Sequence, residues 1–212
     1  MTGLKANEIV RREQIRTAAY ELAAESGLRA ITIRGVAQRA GLSAGLVLFH
    51  YGTKQQLVLR VLDSVLDTTT ALCQEPAVAA IEAPPERLLA LLRRELTRLA
   101  KEPRRTRLFF EFWSAGLSDR VIGTRMKQEL DRYRDAFRPL AEAVLAADQD
   151  FLLGVTPDGL SAVIVSFIKG CLVQSLIEPE RDLADFVGAA EGLLRVHAGL
   201  PRAIGSTYGA CP

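Results

Sequence analysis

A chain of 212 residues with 49% hydrophobic and 25% charged side chains has the make-up of an ordinary soluble globular protein of one or two domains, which excludes a disordered or fibrous chain. The net charge of +2 conceals a gradient, since residues 1–60 carry nine Lys/Arg against four Asp/Glu and the remaining residues eighteen against 21. The basic end is the one suited to an anionic partner such as nucleic acid.

The hydrophobic periodicity predicts an all-α fold of about nine helices, without strands or repeats. The first helix covers residues 6 to 25, with Ile9, Ile15, Ala18, Ala19, Leu22 and Ala23 on an apolar stripe that ends at Ser26-Gly27. Its basic residues Lys5, Arg11, Arg12 and Arg16 are either solvated surface charges or contacts to phosphates flanking a bound duplex. Arg11, Arg12, Glu13 and Arg16 also rule out a signal-peptide core here. No run of about 18 uncharged apolar residues appears anywhere, so the chain is expected in the cytoplasm.

Residues 32 to 57, TIRGVAQRAGLSAGLVLFHYGTKQQL, read as two short helices joined by a glycine turn and followed at once by a third. Thr32 is a fitting N-cap for the first, because its hydroxyl can accept from an orphan amide, and Ile33, Val36, Ala37 and Ala40 follow at helical spacing. Gly41 ends that helix, since glycine takes a left-handed C′ conformation without a Cβ clash, and Ser43 offers the next N-cap. A turn of this length between two helices makes a helix-turn-helix. In the second helix Val47 and Tyr51 share one face, while Ala44, Leu48 and His50 fall largely on others. Ser43, Ala44 and Gly45 are small, which suits a helix whose N-terminal end enters a major groove. Thr53 and Gln56 make a possible capping box, and this puts Lys54 in the first turn of the next helix. A cation there opposes the helix dipole, so a phosphate partner explains it better than helix stability does.

The third helix is expected to run from Lys54 to about Leu72 with Leu57, Val58, Val61, Leu62, Val65 and Leu66 inward, linking a head to a body. A proline-containing break at 74 to 85 precedes helices from Pro85 to Lys101 and from Pro103 to Leu117. A long helix over 119 to 147 should be kinked or divided by Pro139. Thr156-Pro157 is an N-cap and N1 pair opening a helix to Ile177, and between Asp158 and Glu178 its only charged residue is Lys169. The last helix spans 182 to 198, and the tail after Gly199 is expected to be loose. The organisation expected is a helix-turn-helix domain at 1–52, a helical regulatory and dimerisation domain at 53–199, of which 53–72 is the linking helix, and a flexible tail at 200–212.

The residues of the helix-turn-helix resemble the tetracycline-repressor (TetR) family of bacterial regulators. The family pattern is met by Thr32, Val36, Ala37, Ala40, Gly41, Leu42, Ser43, Gly45, Val47, His50, Tyr51, Lys54 and Leu57. It departs at Leu48, where the family usually carries a tyrosine that touches the DNA backbone. The residues assigned to DNA on this basis are Thr32, Arg34, Ser43, Ala44, Gly45, Leu46, Leu48, Phe49, His50, Tyr51 and Lys54. Phe49 offers apolar contact to a thymine methyl, and Leu46 no hydrogen bond to a base.

The resemblance implies an N-terminal three-helix DNA-binding domain and a C-terminal helical body that binds a small-molecule effector. It also implies a homodimer formed through the last two helices, at about 157–177 and 182–198, and double-stranded operator DNA as partner. The run FFEFWSAGLSDRVIGTRMKQELDRYRD is similar to the body of the branch that includes the choline-responsive BetI repressor of betaine synthesis. Phe109, Phe110, Trp113, Met126, Tyr133, Phe137, Phe167, Cys171 and Gln174 are the candidate ligand-binding residues, with plain core packing as the alternative. An aromatic cage of this kind can hold a quaternary ammonium by cation–π attraction.

No catalytic, metal or cofactor site is assigned. The two histidines are His50 and His197, and no H-E-x-x-H, G-x-S-x-G or phosphate-loop pattern is present. Cys73, Cys171 and Cys211 form no C-x-x-C pair, so they read as two helix thiols and a tail thiol. The function expected is a homodimeric repressor released from a palindromic operator by an effector. The alternative is a helical adaptor without sequence-specific DNA binding.

Overall fold

The order of the helices follows from caps and breakers set at short intervals along the chain. In the computed structural model, which describes residues 2–66, 76–147 and 154–199, these are α1 (Thr2–Ser26), α2 (Ile33–Ala40), α3 (Ala44–Tyr51), α4 (Lys54–Leu66), α5 (Pro76–Ala79), α6 (Pro84–Ala100), α7 (Pro103–Gly116), α8 (Arg120–Ala147), α9 (Pro157–Ile177) and α10 (Leu183–Gly199). The described residues contain no strand. The helix beyond the expected nine is α5, a single turn inside the expected break, held down by buried Val78. Residues 67–72 of the expected linking helix, the tail at 200–212, Cys73 and Cys211 lie outside the described residues.

The caps are the expected ones. The Thr32 hydroxyl accepts from the Gly35 amide at 3.0 Å, and the Ser43 hydroxyl from the Leu46 amide at 3.2 Å. Gly41 closes α2 in the left-handed region at φ 64°. Thr156 caps α9 through the Gly159 amide at 3.0 Å, with Pro157 at N1. Thr53 accepts from the Gln56 amide at 3.1 Å, but the reciprocal half of the capping box is replaced, because the Thr53 amide donates to the Tyr51 carbonyl at 2.8 Å. Pro139 does not divide α8. Phe137, Leu140 and Ala141 are buried on either side of it, and this packing holds the helix together across one missing donor.

Two apolar cores result. The first joins Ile15 and Ala19 of α1, Val36 of α2, Val47 of α3 and Leu57, Val61 and Leu62 of α4 to Leu108 and Phe112 of α7 and to Ile122 and Met126 of α8. The head therefore rests on the near ends of two body helices. Its fit includes a hydrogen bond from the Leu28 amide, in the short turn after α1, to the Glu111 carboxylate at 2.8 Å. The second core gathers Leu91, Leu92 and Leu96 of α6, Tyr133 and Phe137 of α8, Ile164, Val165, Ile168, Cys171 and Leu172 of α9 and Val187 of α10. At the α7–α8 corner the backbones nearly touch, and a Cβ on Gly123 would stand 2.6 Å from the Gly116 carbonyl oxygen. By length and composition α9, 21 residues at mean hydropathy 1.9, could cross a bilayer. In this fold one side of it forms the centre of the second core.

Candidate functional site

The outer face of α3 is defined by what the head core leaves outside. An eight-residue helix buries positions spaced three and four apart, and here these are Val47, His50 and Tyr51. Ser43, Gly45, Leu48 and Phe49 are exposed, and Ala44 and Leu46 are half-buried at the rim. Phe49 is 79% exposed and Leu48 44%, an uncommon outlay of apolar surface for the outer side of so short a helix. Arg34 and Thr32 at the start of α2 and Lys54 at the start of α4 are exposed beside this strip. Neither Arg34 nor Lys54 has an ion-pair partner among the described residues. By contrast, Arg39 is held by Glu21 and Glu25, Arg16 by Glu13, and Arg60 by Asp63.

Two residues assigned to DNA face the other way. The Tyr51 hydroxyl donates to the Arg12 carbonyl at 2.7 Å, and Arg12 in turn donates to the His50 carbonyl at 3.1 Å. Burial raises the pKa of the Tyr51 phenol. His50 is 9% exposed, with Phe49 meeting its ring edge-on at 5.2 Å and its Nδ1 left without a hydrogen-bond partner. The expected outward position of His50 is thus corrected. It follows Val47 by three residues and shares its inner face, and the Tyr51 hydroxyl and the His50 carbonyl tie α3 to Arg12 of α1.

The nine candidate ligand residues do not form one cage. Phe109, Trp113 and Met126 pack on the first core, with Met126 buried in it, because the early turns of α8 lean on the head. Phe110, Tyr133, Phe137, Phe167 and Cys171 belong to the second core, and Gln174 is exposed on α9. Phe109 meets Phe110 at 5.4 Å and Trp113 at 5.7 Å, and Tyr133 meets Phe137 at 5.4 Å, all as ring-edge contacts that serve as packing. Burial pushes the Cys171 thiol up to about 11, which keeps it protonated and unreactive at neutral pH.

A small cavity of about 30 Å³ does open where four helices meet, walled by Val65 and Leu66 of α4, Leu99 of α6, Arg105, Thr106 and Phe109 of α7, and Lys169 and Leu172 of α9. The Lys169 ammonium lies 4.4 Å from the centroid of Phe109 and 4.3 Å from that of Tyr133. Desolvation lowers its pKa to about 8, against the opposing pull of Glu95 and Glu129. Glu95 is itself buried, taking both ends of the Arg98 guanidinium at 2.9 Å and the Tyr133 hydroxyl. Among the described residues no group of three His, Cys, Asp or Glu side chains is placed to hold a metal ion.

Residues 15–61 match the family described as bacterial regulatory proteins, tetR family, and residues 84–196 match the C-terminal region of BetI-type transcriptional repressors. The chain belongs to the tetR family. The BetI regulator of Burkholderia ambifaria (strain MC40-6) is 29% identical over 113 residues, covering 53% of this chain and 58% of that one, so the match spans little more than half of that relative's length. An uncharacterised regulator in the dhlA 5′ region of Xanthobacter autotrophicus is 25% identical over 181 residues, 84% of this chain and 85% of the other. The fold is that of a TetR transcription regulator from Haloarcula marismortui, with a TM-score of 0.68, 21% identity and coverage of 89% of this chain and 96% of that one. It is likewise that of a TetR-like regulator from Rhodococcus sp. RHA1, with a TM-score of 0.65, 17% identity and coverage of 90% and 97%.

In this tetR-family chain the polar residues of the body that sequence reasoning passed over are Glu95, Arg105, Glu129 and Lys169. Lys169 carried a signal, as an isolated charge in an apolar helix. Glu95 carried another, since it stands where the leucine stripe of α6 places Leu88, Leu91, Leu92 and Leu96.

Proposed function

We propose that the chain is a homodimeric transcriptional repressor that holds a palindromic operator and lets go when a small molecule enters its body. The observation that carries this reading is the outer strip of α3. Ser43, Gly45, Leu48 and Phe49 are exposed, and Arg34 and Lys54, without an ion-pair partner among the described residues, flank them. Such a strip can enter a major groove while the two cations hold phosphates on either side. With few polar side chains on the strip, specificity rests on Ser43, close backbone approach at Gly45, apolar contact from Phe49 and DNA shape. His50 and Tyr51 support the helix from behind.

Pairing of two heads would follow from α9 and α10. Val163 is 64% exposed and Ile177 76%, Val173 is also exposed, and a Cβ at Gly170, Gly188 or Gly192 would meet open space. A second copy of this face would cover them, and two heads about 34–36 Å apart would match successive turns of a duplex. Within this reading residues 1–52 are the DNA-binding head, 53–199 the body that senses and dimerises, and 200–212 a tail, in a cytoplasmic protein. The effector acts by binding the DNA-incompetent arrangement more tightly, typically by about 1–3 kcal/mol, and bound operator must then weaken the effector by the same factor. Selection of bound sequences from a random DNA pool, followed by mobility shift, tests this. Enrichment of a twofold-symmetric site supports it, and sequence-blind binding contradicts it.

A further inference from the structure

The aromatic pair that a quaternary ammonium effector would need is already filled. Phe109 and Tyr133 present their rings to the Lys169 ammonium at 4.4 and 4.3 Å, ordinary cation–π distances. Among the described residues no carboxylate is hydrogen-bonded or ion-paired to the ammonium, since Glu95 holds Arg98 and Tyr133, and Glu129 is paired with Arg132 at 2.6 Å. Lys169 is therefore a desolvated cation with its N–H donors unspent, beside a cavity. Among the described residues the polar groups of that cavity wall are Lys169, Arg105 and Thr106, and none of its lining is acidic. Its volume of about 30 Å³ exceeds the roughly 10–15 Å³ needed to admit one water, so a small polar group has room beside the ammonium.

We infer that the body takes an acidic effector, a carboxylic acid with an apolar chain, whose carboxylate lodges on Lys169 beside Arg105 and Thr106. The chain of such an acid has a place to go. An open cleft of about 690 Å³ shares Leu99, Thr106 and Leu172 with the small cavity and is lined beyond them by Leu176 and Leu183, with Lys101, Glu180, Arg181 and Asp182 also on its wall. The position also reaches the head, because Arg105 holds the Val65 carbonyl of α4 through Nε at 2.9 Å and Nη2 at 2.6 Å. A carboxylate that draws on the same guanidinium competes with that bond and loosens α4 from the body. The inference rests on the reading of the body as an effector chamber and specifies the charge of what enters it.

The test sets two probes of similar tail and opposite head, octanoate and octyltrimethylammonium, against the full-length protein by calorimetry, with Lys169→Met and Lys169→Arg as variants. Octanoate should bind the unmodified protein and the arginine variant, and bind the methionine variant about 10- to 100-fold more weakly, as loss of a charge-assisted hydrogen bond entails. Octyltrimethylammonium should bind more weakly than octanoate to the unmodified protein, and the methionine variant should shift that preference towards the cation. The inference is overturned if neither probe binds, if the cation is preferred by the unmodified protein, or if octanoate binds the methionine variant undiminished while the circular-dichroism melt shows it folded. Should the methionine variant not fold, loss of octanoate by the folded arginine variant overturns it and retention supports it. Mobility shift on the selected operator separates this from the parent reading. Intact specific DNA binding without an octanoate response removes only the acidic effector, whereas octanoate binding without specific DNA binding removes the repressor.

Discussion

Arg105 of α7 closes on the backbone of Val65 of α4, its Nε and Nη2 both donating to one carbonyl at 2.9 and 2.6 Å. The carbonyl belongs to the last described turn of α4. The same side chain takes Glu102 at 3.0 Å, so it is fixed from two sides. One arginine thus ties the helix that carries the head to the helix that lines the body cavity. Replacing it by alanine should lower the unfolding free energy by about 1.5–3 kcal/mol, the range for hydrogen bonds with a charged partner. Urea titration measures this, and a loss within error of zero would mean that α4 is held by its apolar face alone.

Phe49 and Tyr51 separate the outer and inner roles of α3. Phe49→Ala removes a side chain that is 79% exposed, so stability should stay within about 0.5 kcal/mol while operator affinity falls. Tyr51→Phe removes the hydroxyl that donates to the Arg12 carbonyl, and should cost about 1 kcal/mol without changing which DNA sequence is selected. Paired urea titrations and binding-site selections would show the reverse pattern if α3 were turned the other way.

The α7–α8 corner admits no side chain at Gly123. A Cβ there would stand 2.6 Å from the Gly116 carbonyl oxygen, so alanine must part the two backbones. Gly123→Ala should destabilise by about 1–3 kcal/mol, as overpacking does. A variant with unchanged melting temperature would show that the corner can open freely.

Lys169 makes stability depend on alkaline pH. Its folded pKa of about 8 lies below the value of about 10.4 for a free lysine, and the charged groups acting on it are Glu95, Glu129, Arg98 and Arg105. Between these two values the unfolded chain keeps a proton that the folded chain has released, so this group's contribution to stability rises with pH across about 8 to 10. Below pH 8 both states are protonated and the buried charge is a constant cost. Lys169→Met should therefore be more stable at pH 7, with a smaller rise between pH 8 and 10. Equal slopes in urea titrations of both proteins would contradict the desolvated ammonium.

Much of the head was legible because its signals are local. Thr32, Gly41 and Ser43 act on amides and torsions within three residues of themselves, and each sits where its chemistry placed it. His50 was legible in its spacing, since the third residue after Val47 falls on the same inner face, but the resemblance at this position pointed outward instead. The body was less readable. Met126 looked like part of an aromatic pocket, but the first turns of α8 rest on the head core, so the residue is far in kind from Tyr133 although it lies on the same helix. Glu95 stands within the leucine stripe of α6, but the partners that let Glu95 and Glu129 lie buried, Arg98, Tyr133 and Arg132, are set by the packing and by turns of the same helices. The helical pattern of the aromatics was correct, and what fills the space between Phe109 and Tyr133 came from a different helix.

On the proposed reading α3 enters a groove of DNA with Lys54 and Arg34 on the phosphates. The decisive measurement is the salt dependence of affinity for the selected operator, for the unmodified protein and for Lys54→Ala. Each phosphate contact contributes close to one unit to the slope of log affinity against log salt. Lys54→Ala should therefore flatten the slope by about one unit per head while leaving the selected sequence unchanged. An unchanged slope, or affinity for the operator that does not fall with salt at all, would contradict the account.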